Sequence, residues 1–233
     1  MRFAIPEANA KAFRQALRAL NNSGVPYAVG GAFAMYHYSG VWRNTNDLDI
    51  YLERRCVPSA VHALTRAGFR DHGEMAADDR EWIYHAVKNE TFIDLIWQPP
   101  NRLRPVDSSF YAEGEDGTLL EVPVRFMPTE ELVWAKIFTM NRHRCDWPDI
   151  FHIVRAMRDR LDWQHLIDNM DEHWPVLLSF VVLFDWVYPG ESDAIPDTVR
   201  NQLIERKQAH PPSPQEPTRE AILDPWIHTR PVQ

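Results

Sequence analysis

Two aspartates separated by one residue, Asp47 and Asp49, have the spacing of a metal-binding pair. They alternate with Leu48 and Ile50, which predicts a β-strand with both carboxylates on one face and the apolar side chains on the other. Two negative charges on one face repel each other unless a cation lies between them, and Mg²⁺ prefers carboxylate and phosphate oxygens. The pair therefore predicts a site for a divalent metal ion.

A pair of glycines precedes the aspartates. Gly30 and Gly31 stand between the segment 27–29, predicted as a strand, and the segment 32–38, predicted as a short helix. Glycine allows a phosphate to approach the backbone, and the first turn of a helix offers N–H groups to an anion. The glycine pair therefore predicts a cradle for phosphate groups.

A third acid, Asp94, lies between Ile93 and Leu95 in the segment 91–97, which is predicted as a strand. It can present a third carboxylate to the same site, and the alternative is a strand acid that faces solvent. Glu90 is a poorer candidate because its position in a turn fixes no direction. Three carboxylates, divalent metal ions and a phosphate cradle are together the requirements of in-line nucleotidyl transfer.

Two aromatic residues, Tyr51 and Trp97, lie on the strands that are predicted to carry the acids. Either ring could stack on a nucleotide base. Packing in the core is the more ordinary role for a large aromatic side chain, so both interpretations stay open.

The elements that must position these residues follow from the periodicity of the chain. Helices are predicted at 6–21, 32–38, 57–67, 129–140, 146–160, 162–169, 174–188 and 196–207, and strands at 27–29, 47–51, 81–87, 91–97 and 119–126. Helices and strands are mixed up to Met127, and the pattern is helical afterwards. Prolines cluster from His210 onward and predict a tail or an extended arm. The chain is therefore predicted to have an α+β fold followed by a helical region.

The composition excludes several classes of protein. The chain has 233 residues, and 25 Lys plus Arg against 33 Asp plus Glu give a formal charge of −8, which argues against broad binding of duplex DNA. Two cysteines, Cys56 and Cys145, cannot form a disulfide framework. No signal peptide is recognised, and the longest apolar stretch, 176–187, is too short to span a bilayer. We therefore expect a cytoplasmic protein without a membrane partner.

The order of these motifs identifies a family. Gly30-Gly31, a loop, Asp47-Leu48-Asp49-Ile50 and the later Asp94 together resemble the DNA polymerase β-type nucleotidyltransferase superfamily. Arg43-Asn44-Thr45, just before the acids, resembles the Arg-x-Thr-x-Asp-x-Asp signature of the abortive-infection toxin (AbiEii-like) branch. The resemblance covers roughly residues 25–155.

The helical half extends the resemblance. Lys136, then Arg142 and Arg144, then Asp146 and Asp149 are similar to the Lys…Arg…Asp-x-x-Asp motif of that branch. In such proteins the lysine reaches toward the triphosphate, which implies a nucleotide-binding role for Lys136. The alternative is that Lys136 forms the polar edge of an amphipathic helix. The basic run at 142–144 is either a solvated helix end or a contact with a triphosphate or an RNA end.

The resemblance implies a mixed β-sheet with flanking helices and a C-terminal helical region, divided into a nucleotidyltransferase core at 1–127, a helical domain at 128–209 and a Pro-rich tail at 210–233. It also implies Mg²⁺- or Mn²⁺-dependent transfer of an NMP from an NTP to a hydroxyl of an RNA end, a protein or a small molecule. The residues implied are Asp47, Asp49 and Asp94 for metal binding and catalysis, and Gly30, Gly31, Arg43, Thr45 and Lys136 for nucleotide binding.

One departure from the superfamily pattern supports an alternative function. Most members have Gly-Ser, and here Gly31 stands in place of the serine, which removes a hydroxyl able to bind phosphate. The alternative is a catalytically inactive module that binds a nucleotide or a protein partner. A toxin–antitoxin or phage-defence system suits either version.

Overall fold

A computed structural model of the chain describes residues 5–73, 81–141, 143–211, 213 and 216–223. The chain divides into two compact units between Pro128 and Thr129. The first unit holds a mixed β-sheet with flanking helices and the second is helical, so the predicted α+β class is confirmed. The division into a core at 1–127, a helical domain at 128–209 and a tail at 210–233 stays a prediction.

The first unit is built on a seven-stranded sheet with the order β3-β4-β5-β2-β1-β7-β6. The strands are β1 (Ala28–Val29), β2 (Asp47–Tyr51), β3 (Arg70–Asp71), β4 (Ile83–Lys88), β5 (Thr91–Ile96), β6 (Glu115–Leu119) and β7 (Val122–Phe126). The helices are α1 (Glu7–Ser23), α2 (Gly31–Ser39), α3 (Val57–Arg66) and α4 (Ser109–Ala112). Two neighbouring pairs, β2 with β5 and β1 with β7, run parallel, and the other pairs are antiparallel.

Helix α1 covers the sheet with the apolar face that its sequence predicts. Phe13, Leu17 and Leu20 are fully buried, and burial of each such side chain contributes about 1.5–3 kcal/mol. Gly24 ends the helix in the left-handed conformation, with φ +70°, and its N–H donates to the carbonyl oxygen of Asn21. The helix packs against α3 and against strands β5 and β7 of the sheet.

The strand predicted at 119–126 is present as β7 but begins later, at Val122, and the prediction missed β6, with which β7 forms a hairpin. The two-residue turn between them has positive φ at Leu120 (49°) and Glu121 (66°). A turn with positive φ at both central residues normally carries Asn, Asp or Gly, so this one has no sequence signature. The predicted hairpin at 81–97 is present, and its turn is at Asn89 and Glu90.

The second unit consists of helices: α5 (Thr129–Ile137), α6 (Trp147–Met157), α7 (Trp163–Met170), α8 (Trp174–Val187), α9 (Asp197–Ala209) and α10 (Glu220–Leu223). Helix α5 packs against α6, α7 and α8, around the buried side chains of Trp134, Phe180 and Phe184. Asp162 caps α7 by accepting a hydrogen bond from the N–H of His165 at 2.9 Å. Asp146 precedes α6, and its side chain makes no capping hydrogen bond.

Part of the predicted tail lies outside the described residues, including Pro212 and Pro214, and so does Arg142 of the predicted basic run. Within the described part of the tail, α10 is helical, and Arg219 forms an ion pair with Glu172 at 3.0 Å. No helix in the described ranges has both the length and the apolar composition to cross a bilayer.

Candidate active site

Strand β2 positions the first two carboxylates. Leu48 and Ile50 are fully buried, and the alternation of the strand places Asp47 and Asp49, both half-buried, on the opposite face. The neighbouring strand β5 is parallel to β2, and the register aligns Asp49 with Asp94. Residues aligned across neighbouring strands share a face, so all three acids lie on the same side of the sheet.

Asp47, Asp49 and Asp94, here called the acidic cluster, bring one carboxylate oxygen each to within 4.8 Å of one another. In the described part of the chain this is the only such group of three potential metal ligands. Asp94 is 8% exposed, so it is not the solvent-facing strand acid of the alternative interpretation. Hard, anionic oxygen donors at this spacing fit Mg²⁺ or Mn²⁺.

His85, a residue that the sequence interpretation missed, contacts the acidic cluster. It lies on β4 directly opposite Asp94, and its Nδ1 is 2.6 Å from Asp94 Oδ1. A signal was present in the sequence, because the predicted hairpin brings one strand back along the other. A two-residue turn at 89–90 pairs Lys88 with Thr91 and, three residues further along each strand, His85 with Asp94.

The environment of Asp94 raises its pKa. Burial raises the pKa of Asp94 above its ordinary value, the hydrogen bond and charge of His85 oppose this rise, and repulsion from Asp47 adds to it. A carboxylate with a raised pKa accepts a proton more readily than an exposed one does. In the absence of a cation, Asp94 is therefore protonated more readily than an exposed aspartate.

The two glycines fit closely against β2. The N–H of Gly30 donates to the carbonyl oxygen of Asp49 at 3.0 Å, and a Cβ at position 30 would lie 2.4 Å from Cε2 of Tyr51. Gly31 has φ +55°, and a Cβ there would lie 1.6 Å from Oδ2 of Asp49. A serine at position 31 would therefore require a different conformation or a displaced Asp49. Helix α2 begins at Gly31, so its first-turn N–H groups lie beside the acidic cluster.

The loop before β2 contains Arg43 and Thr45. The Thr45 hydroxyl donates to the side-chain carboxylate of Asp47, which orients that acid. Trp42 anchors the loop by packing on Phe33 of α2, with a distance of 5.5 Å between ring centroids. Arg43 is exposed, and its nucleotide-binding role stays a prediction.

Tyr51 and Trp97 are each 7% exposed, which agrees with core packing. The Tyr51 ring stacks on that of Phe110, with 6.0 Å between centroids. The indole N–H of Trp97 donates to the carbonyl oxygen of Glu81 at 2.7 Å. Both rings are thus engaged by the protein itself.

Lys136 belongs to a second charged group, here called the ion-pair cluster: Lys136, Arg144, Asp146 and Asp149. Nζ of Lys136 is 2.9 Å from Oδ2 of Asp146 and 2.9 Å from Oδ2 of Asp149. Arg144 donates to both oxygens of Asp146, at 2.7 and 2.8 Å. Lys136 is 5% exposed, so it is not a solvated polar edge, and its nucleotide-binding role stays a prediction.

The ion-pair cluster lowers the pKa of Asp146. Burial acts to raise that pKa, but the charge of Lys136 and the hydrogen bond and charge of Arg144 together outweigh burial. Asp146 therefore stays ionised, and its side chain serves the ion pairs and does not cap α6.

Comparison with known proteins points to one family. Residues 7–178 match the family model described as uncharacterised nucleotidyltransferase. A search of the curated proteins gave no significant match.

Solved structures of 11 chains are similar to this one. The antibiotic-resistance factor ANT(2'')-Ia is 14% identical, with a TM-score of 0.45 over 88% of this chain and 96% of its own. The lincosamide antibiotic adenylyltransferase LnuA is 12% identical, with a TM-score of 0.45 over 61% of this chain and 94% of its own. An antigenic nucleotidyltransferase-like protein from Paracoccidioides brasiliensis is 16% identical, with a TM-score of 0.42 over 72% of this chain and 90% of its own.

Proposed function

The chain belongs to the uncharacterised nucleotidyltransferase family, and we propose that it transfers a nucleoside monophosphate from an NTP to a hydroxyl group of an acceptor. The observation that carries this proposal is the acidic cluster, in which three carboxylate oxygens lie within 4.8 Å of one another. The start of α2 at Gly31 lies beside the cluster. The three carboxylates and the N-terminus of α2 are thus adjacent on the first unit.

Asp47, Asp49 and Asp94 are the residues that would hold Mg²⁺ or Mn²⁺. A bound divalent ion would neutralise the charge that develops on the phosphate oxygens during transfer. Thr45 supports this assignment because its hydroxyl holds the carboxylate of Asp47 in place. Without a cation the three like charges repel each other. Burial is the largest cause of the raised pKa of Asp94, and repulsion from Asp47 adds to it.

The transfer step uses Asp94 as the proton acceptor. The acceptor hydroxyl oxygen forms a bond to the α-phosphorus, the bond from the α-phosphorus to the bridging oxygen breaks, and pyrophosphate leaves. The hydroxyl proton passes to the carboxylate of Asp94.

The triphosphate is assigned to Gly30, Gly31 and the first turn of α2. The N–H groups of this turn have no acceptor within the helix, and the helix dipole favours an anion at this end. Arg43, Thr45 and Lys136 are the other residues of the predicted nucleotide-binding set. For Lys136, nucleotide binding would compete with the two carboxylates that already bond its ammonium group.

Three classes of acceptor remain: an RNA end, a protein hydroxyl and a small molecule. The formal charge of −8 favours a cationic small molecule, such as an aminoglycoside, by electrostatic attraction. The resemblance to the abortive-infection toxin branch favours an RNA end or a protein, and with it a protein partner in a toxin–antitoxin system. A cytoplasmic location suits all three classes.

The test combines purified protein with each of four α-labelled NTPs, Mg²⁺ or Mn²⁺, and a cell extract that contains RNA and protein. A parallel arm replaces the extract with a panel of aminoglycosides. The control is the double variant Asp47→Ala/Asp49→Ala, checked for folding by circular dichroism. Label transferred only by the wild type identifies the donor and the acceptor class, whereas transfer by the double variant would refute the assignment of the acidic cluster.

The second candidate function is a nucleotide-binding module without catalysis. It is favoured by Gly31, which has no hydroxyl and leaves no room for one while Asp49 keeps its position. Thermal unfolding with Mg²⁺ and an NTP, compared with ADP or pyrophosphate, separates the two functions. A non-catalytic module would be stabilised by the NTP and form no product.

A further inference from the structure

A histidine next to the acidic cluster carries an inference that rests on the proposed function and deepens it. We propose that His85 is a positioning residue, whose hydrogen bond to Asp94 fixes the direction in which that carboxylate faces the metal ions and the acceptor hydroxyl. His85 lies on β4 and Asp94 on β5, and the two are direct partners in the antiparallel register.

The geometry of the pair supports this role. Nδ1 of His85 and Oδ1 of Asp94 are 2.6 Å apart, at the short end of hydrogen bonds to a charged group. An ionised carboxylate can only accept, so Nδ1 is the donor when Asp94 is charged. The side chains are 25% and 11% exposed, so water competes little for this bond.

Among the described residues, His85 is the side chain that hydrogen-bonds the carboxylate of Asp94. The terminal torsion of an aspartate is broad, so its rotamer preference leaves the two oxygens poorly directed. Its neighbours Asp47 and Asp49 carry the same charge and lie within 4.8 Å, so their repulsion would turn the carboxylate away. The hydrogen bond from His85 holds Oδ1 on the β4 side and thereby directs Oδ2.

A row of side chains crosses the sheet at this level. His72 follows β3, and its backbone N–H donates to the backbone carbonyl oxygen of His85 at 3.1 Å. Next come His85 on β4, Asp94 on β5 and Asp49 on β2, each aligned with its neighbour. The ring of His72 packs edge-on against Phe92, with 5.1 Å between centroids. The backbone of His85 is thus held from the β3 side while its ring holds Asp94.

Two amide variants provide a test that separates positioning from simple packing. In His85→Asn the side-chain amide can place an N–H near the position of Nδ1, whereas in His85→Gln the donor lies further out. Both replacements are neutral and polar, and they differ mainly in reach. His85→Leu removes the donor and keeps an apolar side chain of similar bulk.

The measurements are the affinity for Mn²⁺, by electron paramagnetic resonance, and kcat and KM for the NTP. We expect His85→Leu and His85→Gln to weaken Mn²⁺ binding and to lower kcat by about 10–100-fold, as substitutions of groups that orient metal ligands do, with little change in KM. We expect His85→Asn to recover most of both. Recovery by the shorter amide alone is a result that a packing role would not produce.

His37→Leu is a matched control, because His37 also pairs with a carboxylate in the first unit, Glu115, at 3.0 Å. It should leave Mn²⁺ affinity unchanged. The inference would be overturned if folded His85→Leu kept the Mn²⁺ affinity and kcat of the wild type. If His85→Leu does not fold, the same result for His85→Gln would overturn it. Failure of the wild type to bind Mn²⁺ and to transfer label would instead overturn the proposed function and this inference together.

Discussion

Each unit of the chain brings aspartates together, and the two groups differ in the source of their counterions. In the ion-pair cluster of the second unit, one lysine and one arginine lie within 2.9 Å of two carboxylates, so the charges balance. In the acidic cluster of the first unit, three carboxylates face one another, and the polar side chains described at them are Thr45 and His85. The ion-pair cluster thus combines charges of both signs, whereas the acidic cluster brings three carboxylates together, and under the proposed function a divalent cation would offset their charge.

The magnitude of this difference is considerable. Two unit charges about 4 Å apart interact by about 4 kcal/mol at the effective dielectric constant of a protein surface. That interaction stabilises the ion-pair cluster and destabilises the acidic cluster. Binding of a cation would relieve this repulsion, so the repulsion adds to the affinity of the acidic cluster for a cation. This is the arrangement expected of a metal site. The following predictions test this contrast.

The largest effect is expected for Asp49→Asn. Transfer should fall by roughly 10⁴-fold or more, as when a central catalytic group is removed. The metal-free protein should unfold at the same or a higher temperature, because one repelling charge is lost. The stabilisation by Mg²⁺, measured by thermal unfolding with and without the ion, should disappear. A wild-type response to Mg²⁺ would contradict the assignment of Asp49 as a ligand.

The next largest effect is expected for Lys136→Met. It leaves the carboxylates of Asp146 and Asp149 without the ammonium group that bonds both of them, so the free energy of unfolding should fall by about 3–5 kcal/mol. The measurement is urea denaturation. Arg158→Met is the matched control, because Arg158 also contacts two carboxylates but is 32% exposed, and its loss should cost less than about 1 kcal/mol. Equal losses in the two variants would show that burial of the ion-pair cluster has no special effect.

A smaller effect is expected for Gly31→Ala. The new Cβ would overlap Asp49, and φ +55° is strained for alanine, so we expect a loss of about 1–3 kcal/mol and a weaker response to Mg²⁺. Gly24→Ala is the control, since φ there is +70° and no atom lies within 4 Å of the added carbon. The difference between the two variants isolates the contact with Asp49, and no difference would mean that Asp49 moves aside at no cost.

The smallest effect is expected in the pH dependence of stability. In the folded protein, burial acts to raise the pKa of Asp146, but Lys136 and Arg144 hold it below the ordinary value. The stabilisation is therefore present above about pH 3.9, the value for an unfolded chain, and is lost as the pH falls through the lower folded-state pKa. Denaturation curves between pH 5 and pH 2 should show a shallower loss for Asp146→Asn than for the wild type. Asp193→Asn, with an exposed carboxylate, should keep the wild-type slope.

The parts of the fold that the sequence predicted are those fixed by local patterns. The alternation at 47–51 predicted β2 and the face that its acids share, and the spacing of Phe13, Leu17 and Leu20 predicted the buried face of α1. The glycines at 30 and 31 predicted the break between β1 and α2, where the structure has Gly30 before the helix and Gly31 as its first residue. Each of these features depends on residues within a few positions of one another.

The parts that the sequence did not predict depend on distant contacts or on turns without a signature. The turn at Leu120 and Glu121 uses positive φ without glycine or asparagine, so the predicted strand ran through the turn and β6 was missed. His85 lies opposite Asp94 only because the turn between β4 and β5 has two residues. One more residue in that turn would shift the register and place His85 on the opposite face of the sheet from Asp94. Lys136 lies 10 and 13 residues from its carboxylate partners, beyond any periodicity.

The contact between position 31 and Asp49 couples two sites that would otherwise be free to change independently. Because a side chain at position 31 would occupy the place of an Asp49 oxygen, a serine hydroxyl cannot be placed there while that carboxylate keeps its position. In a laboratory selection for transfer activity, a serine at position 31 should therefore arise only together with a second change that relocates the carboxylate.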